Sequence, residues 1–81
     1  MEKEIGKITH MFEKIDVAIL ELQDILKVGD TIHILGPSTD FEQAVDSMQV
    51  EHKNIDVAKK GDIVGVKLTN KAKVGDKIFL K

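Results

Sequence analysis

Apolar and polar positions alternate in short runs along this chain, and turn-forming residues interrupt the runs at close intervals. Ile5–Phe12 alternates with period two, which places Ile8, His10 and Phe12 on one face and Lys7, Thr9 and Met11 on the other. Val17–Leu22 is nearly all apolar, as expected of a strand buried on both faces or held in a barrel wall. Thr31–Leu35 predicts a third strand. It leads into a Gly36–Asp40 loop, where Pro37 has no N–H to give to a ladder. The fourth strand, Phe41–Lys53, is long and its apolar parity changes: Phe41 and Val45 are odd-numbered, Met48 and Val50 even-numbered. A β-bulge near Asp46-Ser47 would bend this strand so that both halves face one core. Asn54–Lys60 predicts a connection with one helical turn, capped by Asn54 and ended by Gly61. Asp62–Leu68, with Val64, Val66 and Leu68 inward, and Lys77–Lys81, with Ile78 and Leu80 inward, complete six strands.

Three of the interruptions share a spelling. Lys27-Val28-Gly29-Asp30, Lys59-Lys60-Gly61-Asp62 and Lys73-Val74-Gly75-Asp76 all read Lys-x-Gly-Asp, and each precedes an apolar-rich run. Glycine accepts the positive φ of a turn that delivers the chain into a strand. The three glycines are 32 and 14 residues apart, so no fixed repeat period exists. Six short strands without long helices predict an all-β chain folded as a single β-barrel domain over residues 1–81. Closure of the barrel would remove exposed edges.

Composition agrees with strands. The chain has ten Ile, eight Val and four Thr, residues whose stiff branched side chains suit a pleated surface. It has no Cys, which excludes disulfides and thiolate chemistry. No apolar run approaches the roughly 18 residues of a membrane span. The acidic start, Met1-Glu2-Lys3-Glu4, has no apolar stretch behind it and does not resemble a signal peptide, so a cytoplasmic location is expected. The net charge of −2 is divided unevenly: residues 1–52 carry −7 and residues 53–81 carry +5. A basic third suits phosphate contact. Every cation is Lys, however, and Arg, Tyr and Trp are absent, so bidentate phosphate recognition and base stacking have little to draw on.

Catalytic signatures are missing. There is no phosphate-binding P-loop and no Gly-x-Gly-x-x-Gly, and neither Ser38 nor Ser47 sits in a nucleophile elbow. His10, His33 and His52 are spaced unlike any short metal-ligand motif. Glu2, Glu4, Glu13, Asp16 and Glu21 read as a solvated face. No enzyme activity, cofactor, bound metal or nucleotide is expected.

Three ordered segments carry a family resemblance: Ile25–Asp30, Val45–Lys53 and Ala58–Val66. Together they resemble domain 2 of the translational GTPases, the β-barrel that follows the GTPase domain in elongation factor Tu. The resemblance implies a six-stranded closed Greek-key barrel and a free-standing, non-catalytic translation-factor-like module binding tRNA or ribosomal RNA. A family glutamate that helps cradle the aminoacylated tRNA end corresponds to Gln49. With His52, Lys53, Lys59 and Lys60 it forms the candidate RNA- or partner-binding set. The family's first hairpin loop is usually Gly-rich and basic, whereas Glu13-Lys14-Ile15-Asp16 is neither. Similar barrels are appended to collagenase-like peptidase-family proteins linked to tRNA modification. The alternative is therefore a protein-interaction module acting in trans with such a partner or with a GTPase.

Overall fold

Ten strands form, and no helix forms among the described residues; the computed structural model describes residues 2–81. They are β1 (Lys3–Phe12), β2 (Val17–Leu22), β3 (Leu26–Lys27), β4 (Thr31–Gly36), β5 (Thr39–Ala44), β6 (Met48–Val50), β7 (Lys53–Ile55), β8 (Val57–Ala58), β9 (Ile63–Lys67) and β10 (Lys77–Leu80). All pairings are antiparallel. Eight strands form one sheet in the order β5-β4-β10-β1-β2-β9-β6-β7, and β3 pairs with β8 as a separate ladder.

The all-β class is therefore as expected. The closed six-stranded barrel is not: the large sheet has edges at β5 and β7, so its ladder does not run full circle. A side chain spans part of the gap instead. Gln43, buried on edge strand β5, donates from Nε2 to the Lys67 carbonyl (3.0 Å) and accepts from the Thr69 N–H (2.7 Å) and hydroxyl (3.1 Å). Its amide presents a donor and an acceptor as a neighbouring strand would.

The apolar residues of both sheet halves meet in one buried cluster that includes Ile5, Ile8, Leu20, Leu22, Ile32, Ile34, Met48, Val64, Val66 and Ile78. Irregularities in β1 adjust which side chains reach it. The register shifts between Glu4 and Gly6 and again between Ile8 and His10. The first shift lets Ile5 and Ile8, of opposite parity, both point inward. The second turns the strand over, so His10 and Phe12 lie outside and Met11 packs against the core. The single inward face expected for Ile8, His10 and Phe12 does not exist.

Two further expectations change. The long fourth strand is broken rather than bulged. β5 ends at Ala44, Val45-Asp46-Ser47 is irregular, and β6 resumes against β9. Val45, at the start of the break, and Met48, just past it, are both buried, which resolves their opposite parity. The helical turn over Asn54–Lys60 is replaced by β7 and β8, and the Gly36–Asp40 loop tightens to a hairpin turning at Pro37-Ser38, with Gly36 paired to Thr39.

The Lys-x-Gly-Asp turns recur as one hydrogen-bonding unit. In each, the Asp N–H donates to the Lys carbonyl (3.0, 3.0 and 3.1 Å) and the Gly has φ of 98°, 90° and 95°, the signature of a type II turn. The Asp Oδ2 accepts from the Lys N–H at 3.0, 2.9 and 2.8 Å. The Gly N–H and the Asp carbonyl then grip both backbone groups of a buried residue, namely Val45, Leu22 and Ile8 respectively. The three sites share no period along the chain, yet each fastens a turn to the core by the same bonds.

Candidate docking groove

The outer face of β1-β2-β9-β6 carries an apolar depression. In register, His10 lies opposite Ile19, Ile19 opposite Gly65, and Gly65 opposite Gln49. Gly65 has no side chain, so it forms a floor. A Cβ there would come within 3.5 Å of Ile19 Cδ1 and Val17 Cγ1. Val17 and Ile19, the outward residues of the all-apolar β2, are half-buried. Phe12 and Ile15, in and beside the β1–β2 turn, and Ile63 at the start of β9 are 45%, 58% and 58% exposed. Val50, Glu51 and His52 close the other side. The groove is open to solvent, with a volume of about 820 Å³. The His10 and Phe12 rings meet edge to face with centroids 4.5 Å apart.

Its wall is under backbone strain. The β6–β7 hairpin turns at Glu51 and His52, with φ of 51° and 66°. Positive φ at both central residues marks a type I′ turn, normally made by Asn-Gly or Gly-Gly, and here two bulky side chains occupy it.

Of the predicted set, Gln49 and His52 line this groove. Gln49 Nε2 also donates to Asn54 Oδ1 at 3.0 Å. Lys53 is exposed on edge strand β7, and Lys59 and Lys60 are exposed in the second Lys-x-Gly-Asp turn; none of the three lines the groove. Two of the C-terminal lysines are drawn to acids instead. β10 inserts between β1 and β4, where Lys77 meets Glu4 at 4.0 Å and Lys81 meets Glu42 at 2.7 Å.

Sequence reasoning missed a second cluster. His33, on β4, turns Nδ1 to both carboxylate oxygens of Glu2 (2.8 and 3.0 Å) and Nε2 to Asp40 Oδ1 (2.5 Å). Donor atoms of Glu2, His33 and Glu42 lie within 4.8 Å of one another, and Glu42 already holds Lys81. The Glu2 bond, then the Asp40 bond, hold the His33 pKa above its ordinary value. The Glu42 bond likewise raises that of Lys81. On the opposite sign, the Lys3 contact lowers Asp24. Glu2 is 31 residues from His33 along the chain, so spacing alone could not reveal the pair. The legible signal was a histidine in a strand that hairpins back onto Asp40 and Glu42.

With this geometry in place, comparison with known proteins corrects the family resemblance. Over 78 residues, 95% of this chain, the sequence is 46% identical to an uncharacterized protease of Methanocaldococcus jannaschii. The chain spans 19% of that protein's length. Its fold is that of a U32 peptidase C-terminal domain. The crystal structure of that domain from a Geobacillus thermoleovorans protein described as a U32 peptidase superposes with a TM-score of 0.91 at 17% identity, covering 98% of this chain and 92% of that one. The selenomethionine variant of the same domain gives 0.88 at 18% identity, covering 94% and 96%. No protein-family model matches the chain. These matches overturn the resemblance to domain 2 of the translational GTPases and the translation-factor assignment drawn from it. The physical reason lies in the motifs. Lys-x-Gly-Asp and the Gly-Asp-x-Val-Gly that continues it are solutions to a backbone hydrogen-bonding problem, and unrelated families can share them.

Proposed function

We propose that this chain is a non-catalytic protein-interaction module, and that its groove docks it onto the remainder of a peptidase-family polypeptide. The observation that carries the reading is the set of exposed apolar side chains, Phe12, Ile15 and Ile63, ranged around the Gly65 floor. A soluble surface gains nothing from holding such residues together unless a partner covers them. The occupant is argued from the curated relative: four-fifths of that protein lies outside the matched segment, so a fold of this kind works there beside a much larger body. A peptidase-family partner, there acting in trans, was one arm of the alternative drawn from the family resemblance, and it replaces the RNA reading.

The test mixes this chain with the Methanocaldococcus jannaschii relative lacking its matched segment and measures association by calorimetry. The expected result is a one-to-one complex weakened at least about tenfold by Ile63→Lys or by Gly65→Phe, which fills the groove. Lys and Phe at the two matching positions of the intact relative should increase proteolytic cleavage at the junction of the matched segment. No association together with an unchanged cleavage pattern, or binding indifferent to both substitutions, would overturn the proposal.

A further inference from the structure

We propose that His33 is a proton-operated latch, its doubly protonated ring fastening Glu2, just ahead of β1, onto the β4–β5 hairpin and its neutral ring letting Glu2 go. The inference does not depend on the groove, which lies on other strands. It rests on what imidazole can donate. Both ring nitrogens face carboxylates, Nδ1 toward Glu2 and Nε2 toward Asp40. Only the imidazolium carries an N–H on each nitrogen; the neutral ring has one, so a carboxylate must then face a lone pair.

Among the described residues, the ring is the cation bonded to both acids, and Lys81 acts on Glu2 only through space. Glu2 approaches from ahead of β1, and Asp40 and Glu42 approach from β5. Glu42 is satisfied by Lys81 from beyond β10, and Glu4, on β1, has Lys77. Phe79 of β10, paired in register with His33, packs its ring 6.3 Å away and adds no charge. The His33 side chain is 15% exposed, which limits its freedom to turn toward water instead.

The two bonds differ in reach. Asp40 belongs to the same hairpin as His33, seven residues on, whereas Glu2 comes from 31 residues away. In the latch, the proton that leaves is the one on Nδ1: the neutral ring keeps its Nε2–H on Asp40, in its own hairpin, and turns a lone pair to Glu2. The sign follows from the bonds. The folded pKa lies above the ordinary 6.5, so the latch is fully closed below that value and opens as pH climbs past the folded pKa. The released Glu2 stands where the chain enters the sheet, beside the Lys3–Leu80 pair that joins β1 to β10.

The test is an NMR titration of the whole chain from about pH 5 to about pH 9, reading His33 ring shifts and amide exchange at Lys3–Ile5 after correction for intrinsic base catalysis. Expected are a His33 titration above 6.5 and a rise in exchange of at least about threefold that tracks it. His33→Gln should abolish the step, and Glu2→Gln should lower the His33 pKa while leaving the sheet intact. Glu2 is a surface residue, so that variant keeps the test available if His33→Gln fails to fold. A His33 pKa at or below 6.5, a step that survives in His33→Gln, or a step altered by chelator or added zinc would overturn the latch. The last result would put a metal ion, rather than a proton, between Glu2 and Glu42.

Discussion

Glu51 and His52 occupy backbone that neither side chain favours. A residue with a Cβ in the left-handed region costs about 1 kcal/mol relative to glycine, and here two stand in succession. Replacing the pair by Asn-Gly, the preferred type I′ sequence, should stabilise the isolated chain by about 1 kcal/mol, read as a higher urea midpoint at unchanged slope. If the strained pair is kept for docking, the same variant should bind the partner less tightly despite its greater stability. The turn was invisible beforehand because no Gly, Asn or Asp occupies its two central positions. The Lys-x-Gly-Asp turns were plain for the opposite reason: each spells out the glycine that positive φ demands and the aspartate that caps the Lys N–H. Those letters specify a local geometry, and reading a family into them carried the inference too far.

At the scale of elements, strand existence followed from period-two alternation, and strand ends followed where turn residues were explicit. β2 formed over the residues its pattern predicted. Its outward Val17 and Ile19 supplied the groove, so the all-apolar run was the sequence signal of an apolar outer face. β1 was placed correctly but faced wrongly, because a bulge adds a residue without leaving a mark in composition. The parity change after Phe41 was real. The chain meets it by breaking the strand and changing partner from β4 to β9, a choice that depends on residues far away in sequence. Gln43 shows the same limit: nothing nearby announces that its amide spans from β5 to Lys67 and Thr69. Gln43→Leu keeps the size and adds apolar surface, yet should destabilise by about 2 kcal/mol because the Lys67 carbonyl loses its side-chain donor and the Thr69 N–H its acceptor. Thermal unfolding would show the drop. An unchanged midpoint would mean that water replaces the amide without cost.

Across the whole molecule the two ends of the chain are neighbours. β10, the last strand, lies between β4 and β1, and Lys3 pairs with Leu80. This arrangement turns the sequence's division of charge into contacts between its halves, as in Lys77 with Glu4 and Lys81 with Glu42. Exposed pairs of this kind add little stability, but they draw two of the C-terminal lysines out of any common basic face. The same arrangement is costly for folding. β1 must wait for a strand some 75 residues later, and such non-local pairing slows the search. A circular permutant isolates this effect. Joining Lys81 to Glu2 by a short Gly/Ser linker and opening the chain between the exposed Asn70 and Lys71 makes β10 and β1 a local hairpin. It breaks no strand pair, because β9 and β10 are not partners in the sheet, and it leaves the Ile8 clamp at Gly75 and Asp76 intact. The permutant should keep the circular dichroism spectrum of the parent and fold about tenfold faster, with most of the change in the refolding arm of the chevron. Unchanged refolding would show that the β1–β10 pair forms after the rate-limiting step. The nucleus would then lie in the hairpins already local to the chain, β1–β2 and β4–β5.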